Sequence, residues 1–466
     1  MKPHVTGPSS VVTLGSRPSG RVDEVRTQAL PLTGPESLDP LLARIGGARY
    51  VLLGEATHGT SEYYRWRDLL TRRLVEEKDF SFVAVEGDWP DCQSLHDSVT
   101  AAAGAPDDPV EVLQDFDRWP TWMWANTDVA RFSRWLRRHN TALPPERRIG
   151  FFGLDVYSLW ESLQAIRDHL EEHAPDSVEH ALEAYRCFEP YAKDPQSYAM
   201  AVQLVPSGCE REVVSLLVQL RRAAEEAASA DGSLADFAAR QNAEVVVGAE
   251  RYYRAMLHGG PESWNIRDHH MTDTLDRIME HYGPRAKAVV WEHNTHVGDA
   301  RATDMTKAGL VNVGQLVRER HAADGVILVG FGSYEGTVIA AERWGGPARA
   351  MRVPPARAGS LEELLHRAAL PEGDALFVFG SERATQTETI PGTENGQRDR
   401  WLREERDHRA VGVVYHPERE KWGNYVPTVL GARYDAFCFL DRTTALVPLH
   451  TLPADTGEEE TWPTGL

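Results

Sequence analysis

Two four-residue stretches hold most of the chemistry this sequence can offer. Glu55-Ala-Thr-His58 ends the apolar run "RYVLLG" (49–54), and His293-Asn-Thr-His296 ends "KAVVWEHNTH" (287–296). A histidine with an ordinary pKa near 6.5 can take a proton from water at neutral pH. A carboxylate on its other nitrogen would fix the tautomer and raise the basicity. Catalysis of this kind typically contributes about 10²–10⁴-fold. Two imidazoles brought together by two strands can share one water or one substrate oxygen.

Arg67 sharpens that picture. On a helix over residues 61–77, Tyr63, Trp66, Leu70 and Leu74 make one apolar stripe, and Arg67 falls inside it. Arg65, Asp68 and Arg72 lie mostly off the stripe. A guanidinium on a buried face needs partners, and Glu55 and Glu86 are the nearest by topology. The bland alternative is an arginine whose head reaches solvent. Arginine or a second, protonated histidine can stabilise the oxyanion of a tetrahedral intermediate.

Other residues gather at matching places. The run "FSFVAVEG" (80–87) delivers Glu86 and Asp88, and "RIGFFGLD" (148–155) delivers Asp155. The resumed run adds Glu292 to its two histidines. Any one of these is a plain polar loop after a strand; four at one end of one sheet point to a site. The segment "FDRWPTWMWANTD" (116–128) packs three tryptophans closely, suiting either a core or a cleft wall for a large apolar ligand. In "NIRDHHMTD", His269 and His270 read as surface or packing residues, and Arg267 and Asp268 as helix caps or cleft residues. "GFGSYEG" (330–336) has Glu335 where a serine-esterase elbow needs glycine. H-E-x-x-H and P-loop lysine motifs are absent.

The elements that must position these groups follow an alternating pattern. Short apolar runs separated by helical stretches at 61–77 and 127–140 have the β-α-β signature of buried parallel strands. From about Val156 to Tyr282, leucines, alanines and charges recur at helical spacing. Strand-like runs then resume at 287–296, 325–333, 336–342, 374–380, 409–416 and 434–440. The pair flanking Tyr334–Glu335–Gly336 predicts a hairpin. The expected architecture is an α/β fold: a mostly parallel sheet flanked by helices, with a helical insertion and a smaller C-terminal α/β unit. Its boundaries are a loose arm (1–30), the first part of the core (31–155), the insertion (156–284), the second part of the core with the smaller subdomain (285–450) and a frayed tail (451–466).

The net charge of −20 among 466 residues argues against a nucleic-acid partner. No run approaches the roughly 20 apolar residues of a membrane span, and the N-terminus lacks an apolar signal core. The four cysteines, Cys92, Cys187, Cys209 and Cys438, lie far apart, which speaks against a disulfide framework or a cysteine zinc site and fits the cytoplasm. Oligomeric state is not legible.

Taken together, "GEATHGTSEYYRWR", "FVAVEGDWPD", "MWANTD", "GLDVYSLWESL", "VVWEHNTHVGDAR" and "GFGSYEGTVIAA" resemble the erythromycin esterase family, in the family's order, from about residue 45 to about residue 450. The resemblance implies hydrolysis of a macrolactone ester by activated water. His58 is then the base, with Glu55 in its loop, Arg67 on the next helix, Glu86 ending the next strand and His293 completing the set. His296, Asp88, Asp155, Trp122 and Trp124 are expected to contact substrate. The resemblance leans to catalysis without a cofactor. Glu55, His58, His293 and His296 could equally hold a divalent metal with an open position for water. The expected ligand is a small-molecule natural-product ester or lactone. Two other functions use the same cluster: a tailoring enzyme performing elimination or acyl transfer, and a metal- or ligand-binding protein without turnover.

Overall fold

The computed structural model describes residues 18–173, 175, 178–191, 208–216, 218, 234–256, 260–380 and 399–450. Eleven strands occur among them: β1 (Leu30–Pro31), β2 (Tyr50–Leu53), β3 (Phe82–Val85), β4 (Gly150–Gly153), β5 (Ala288–Trp291), β6 (Val326–Ala340), β7 (Arg349–Val353), β8 (Ala375–Val378), β9 (Glu405–Arg409), β10 (Tyr425–Val429) and β11 (Ala436–Thr443). Nine form one sheet in the order β1-β8-β11-β6-β2-β5-β3-β4, with β7 paired to the far end of β6. From β11 to β4 every pairing is parallel; β1, β7 and β8 join antiparallel. β9 and β10 form a separate antiparallel ribbon.

The apolar runs are continuous because both faces of the central sheet are covered. Val51, Leu53, Val83, Val85, Val289 and Trp291 face one core with Tyr63, Leu70 and Leu74 of the helix Ser61–Lys78 and Phe132 and Leu136 of the helix Thr127–Thr141. The alternate residues Leu52, Phe82, Ala84 and Val290 face the other with Met271, Leu275 and Ile278 of the helix Glu262–Tyr282. In register, Leu53 lies beside Trp291 and Trp291 beside Val85, with Gly153 next. The carboxyl ends of four adjacent strands therefore open onto one crevice, where open α/β sheets place their ligands.

Three local expectations are corrected. The stretch around Tyr334–Glu335–Gly336 is not a hairpin. β6 runs unbroken through it because β11 pairs alongside as far as Thr443 opposite Gly336. A Cβ at Gly336 would lie 2.1 Å from the Thr443 carbonyl oxygen, so this glycine serves close strand approach. The hairpin comes later, where β7 turns back on Gly336–Ala340. The N-terminal arm holds a helix, Pro18–Gln28, whose buried Val25 packs onto the sheet; residues 1–17 and the tail 451–466 lie outside the described residues. Cys187 and Cys209 form a disulfide, whereas Cys92 and Cys438 are free and buried. No described helix is long and apolar enough to cross a membrane.

Candidate active site

Gly54 directly follows β2, and a Cβ there would sit 2.0 Å from Asn294 Oδ1. Only a glycine lets the loop 54–58 close against residues 293–296. Asn294 reinforces the closure: its N–H donates to the Glu55 carbonyl (2.8 Å), and its Nδ2 donates to the Phe331 carbonyl (2.6 Å). Glu55 and His58 then meet, with Glu55 Oε1 3.0 Å from His58 Nδ1. Arg67 Nη2 donates to Glu55 Oε2 at 2.8 Å. The Arg67 guanidinium is fully buried between the rings of Tyr64 (4.2 Å) and Trp291 (5.1 Å). It does not snorkel, and it does not reach Glu86. With Nδ1 held by the carboxylate, the nitrogen of His58 suited to base chemistry is Nε2.

The His293 ring lies 4.7 Å from the His58 ring, centroid to centroid. His293 caps the short helix Asn294–Val297, its Nδ1 accepting from the Thr295 N–H at 3.3 Å, so the ring proton belongs on Nε2. Among the described residues Nε2 makes no hydrogen bond of ordinary geometry, although the Ala56 backbone faces the ring and favours its charged form. Burial, then the neighbouring His58, push the His293 pKa well below its ordinary value. A neutral imidazole with a spare buried donor suits an oxyanion. Both rings are nearly closed off, at 3% and 4% exposure.

Glu86 links the second half. Its Oε2 accepts from the His293 backbone N–H (2.8 Å), and its Oε1 accepts from Arg267 Nη2 (2.8 Å) and lies 3.4 Å from His296 Nε2. Burial alone would raise its pKa, but His296, His58, Arg267 and the His293 N–H outweigh that and lower it. Arg267 also grips Asp155, at 2.9 Å through Nε and 2.6 Å through Nη2. His296 Nδ1 faces Asp268 Oδ1 at 2.9 Å. Burial disfavours its charge, yet Asp268 and Glu86 together raise its pKa from 6.5 to about 9. As imidazolium, Nε2 forms an ion pair with Glu86; as imidazole, it would accept from Arg267 Nη1 at 3.2 Å.

A cleft enclosing about 930 Å³ of empty space, its open mouth included, is lined by Glu86, Asp155 and Arg267 from this cluster but not by His58 or His293. Glu86, Asp88, Asp155 and Arg267 form its polar floor, and Phe116, Trp119, Trp124 and Trp344 are among its walls. Trp124 also donates Nε1–H to the Glu86 carbonyl at 3.0 Å. Asp88 pairs with Arg118 at 3.1 Å, and burial pushes its carboxyl well above the usual range.

Glu55, His58, Arg67, Glu86, His293 and His296 thus come together, and Asp155, Asp88 and Trp124 border the cleft. Two residues expected to contact substrate, Trp122 and His296, are not among those lining this cleft. Trp122 is 2% exposed and packs edge-on against Trp119 in the core. His296 is 1% exposed and stacked on Trp264, with Nδ1 on Asp268 and Nε2 beside Glu86 and Arg267. Of the four residues named as a metal set, Glu55 is held by His58 and Arg67, His293 Nδ1 by Thr295, and His296 by Asp268 with Glu86 and Arg267 at its other nitrogen. Among the described residues no group of three or more His, Cys, Asp or Glu is placed to hold a metal ion.

The sequence reads Arg267 and Asp268 as helix caps or cleft residues; Arg267 lines the cleft and Asp268 is fully buried. Their signal is the one that exposed Arg67: on their helix they fall inside the stripe Trp264, Met271, Leu275. A charge inside an apolar stripe marks a partner elsewhere in the fold.

Comparison with known proteins agrees with the fold. A succinoglycan biosynthesis protein superposes with a TM-score of 0.73 at 21% identity, over 93% of this chain and 100% of its own. A Bacillus cereus protein gives 0.73 at 18%, over 94% and 100%. A histidine-to-asparagine mutant of the erythromycin esterase EreC, in its open conformation, gives 0.62 at 18%, over 88% and 95%. The family model described as erythromycin esterase matches residues 75–443, starting beyond the first motif with its Glu55, His58 and Arg67. Most of the chain is covered by that match, and the protein belongs to the erythromycin esterase family.

Proposed function

We propose that this protein hydrolyses a bulky carboxylic ester, a macrolactone or similar natural product, with water activated by His58. The observation that carries the reading is the buried Arg67–Glu55–His58 chain, with contacts of 2.8 and 3.0 Å, set 4.7 Å ring to ring from a second imidazole. In this reading Glu55 holds Nδ1 of His58 and Arg67 holds Glu55. His58 Nε2 takes a proton from water, which adds to the ester carbonyl, and His293 Nε2–H stabilises the oxyanion. Collapse of the intermediate expels the alcohol, which recovers the proton from His58. The tryptophan-walled cleft suits a large apolar ligand. Membership of the family supports this chemistry, and the tasks of the individual histidines are our assignment.

The test is mass spectrometry of a panel of macrolactones and simple esters incubated with wild type and His58→Ala, each with and without chelator. Gain of one water on a lactone, lost in the variant and indifferent to chelator, is the expected result. Loss on chelation would move the site to a metal. An eliminated or transferred product would mean tailoring chemistry, and retained binding with no product would mean a binding protein.

A further inference from the structure

The helix Glu262–Tyr282 presents two neighbouring charges to the site, and only Arg267 reaches the cleft. Asp268 is fully buried behind it, on the far side of His296. The His296 ring lies flat on Trp264, centroids 4.4 Å apart and planes 9° off parallel. With the plane fixed, Nδ1 faces Asp268 at 2.9 Å, and Nε2 faces Glu86 Oε1 at 3.4 Å with Arg267 Nη1 also beside it at 3.2 Å. Glu86 in turn takes the His293 N–H. We propose that Asp268 is a positioning residue: it clamps His296 against Glu86 and so keeps the Glu86 carboxylate aimed at the His293 backbone.

A ring hydrogen-bonded through Nδ1, facing Glu86 and Arg267 through Nε2 and stacked on an indole is held in one orientation. The groups facing it are Asp268 and Arg267 from the helix, Glu86 from the end of β3, and Glu292 and His293 from its own strand end. Arg267 opposes its charge; the two carboxylates that clamp it outweigh burial and the arginine together. Glu86 thereby sits between two cations, Arg267 and His296, which hold it ionised and in place. The proposal rests on the hydrolase reading only for what the clamp is used for. Asp268 Oδ1 also accepts from the Val313 N–H at 3.0 Å, capping the helix Val313–Arg320. Asparagine keeps that acceptor, removes the charge and puts an amide NH2 in place of Oδ2.

The experiment is an NMR titration of imidazole-labelled protein, with the His296 signal assigned by His296→Gln, in wild type, Asp268→Asn and Asp268→Glu. It is run alongside kcat and KM on any ester the wild type turns over. The wild-type midpoint is expected at about 9. Asp268→Asn should lower it by at least roughly one pH unit, a tenfold change in the proton equilibrium, and Asp268→Glu should restore it. Where turnover is measurable, kcat should fall about 10- to 100-fold in the asparagine variant, with KM within about twofold. An unchanged midpoint in Asp268→Asn overturns the proposal. So does an equal loss in both variants, which would leave the residue a helix cap. If the asparagine variant does not fold, Glu86→Gln opens the other jaw and must lower the same midpoint; a midpoint that stays put overturns the clamp. A wild type that hydrolyses no ester defeats the hydrolase reading, and the titration still decides the clamp.

Discussion

Glu55-Ala-Thr-His58 and His293-Asn-Thr-His296 share a spacing, a position after a parallel strand and two-fold use of buried polar side chains, yet they are wired in opposite ways. In the first, the leading residue is the carboxylate that holds its own histidine, so the unit is complete within one turn of chain. In the second, the leading histidine meets no carboxylate with its ring, and the trailing one is held by acids from β3 and from a helix near residue 268. The result is a neutral imidazole at His293, its pKa driven down by burial and by His58, and a charged one at His296. Spacing places imidazoles; the partners that burial selects decide what each can do.

The largest effect expected from this contrast is on turnover. His58→Ala removes the base and should lower the hydrolysis rate by about 10²–10⁴-fold, because only the first unit has its own carboxylate. His293→Ala removes one buried donor and should cost about 10²–10³-fold in kcat. Initial rates on the best ester of the panel check both. A His58→Ala variant that keeps wild-type activity would transfer the base to the other stretch.

Next is stability. Glu55 is paired with Arg67 on one oxygen and with His58 on the other, and all three are buried. Arg67→Ala leaves the Glu55 carboxylate uncompensated and should cost about 3–5 kcal/mol, read from the midpoint of denaturant unfolding. A change within about 0.5 kcal/mol, the scale of surface substitutions, would mean that the guanidinium does not hold the first unit together.

The second unit should show itself through pH. The folded pKa of His296 is raised from 6.5 to about 9, so its stabilising effect is fully present below about 6.5 and is lost as pH rises through about 9. At roughly 1.4 kcal/mol per unit, the contribution is on the order of 3 kcal/mol. Melting temperatures from pH 6 to 10 should therefore fall across that window in wild type and fall less in His296→Gln. Parallel curves for the two proteins would remove His296 as the charged member of the pair.

The first unit was legible in sequence because everything it needs is local: an apolar run, a glycine, and three polar residues within thirteen positions. The central strands were legible for a related reason, since a strand buried on both faces writes itself as an unbroken apolar run. The second unit was only half legible. Its histidines end a strand, but Asp268 and Arg267 lie on a helix where alternating charge reads as a solvated face until the stripe is traced. Trp122 and Trp124 flank Met123 in a short 3-10 turn, Thr121–Met123, whose geometry sends one indole to the core and the other to the cleft; composition does not distinguish them. The unbroken β6 was hidden by glycines that resemble a turn and serve instead to let β11 approach.

What joins the two stretches is the contact of Gly54 with Asn294, and it supplies the smallest effect. Asn294 sits between the histidines, donates its N–H to Glu55, and receives Arg433 Nη2 on its carbonyl at 2.9 Å. It has no slack to offer a new methyl group. A Cβ at Gly54 would lie 2.0 Å from its Oδ1 and 3.2 Å from the Val329 carbonyl oxygen. Gly54→Ala should therefore cost about 1–3 kcal/mol in unfolding free energy. The rate should fall as well, since Glu55 and His293 move apart together. Gly47, just before the same strand, meets nothing within 4 Å, and Gly47→Ala should stay within about 0.5 kcal/mol of wild type. If the two variants were equally stable and equally active, the two units would be independent, and the echo between them would carry no shared chemistry.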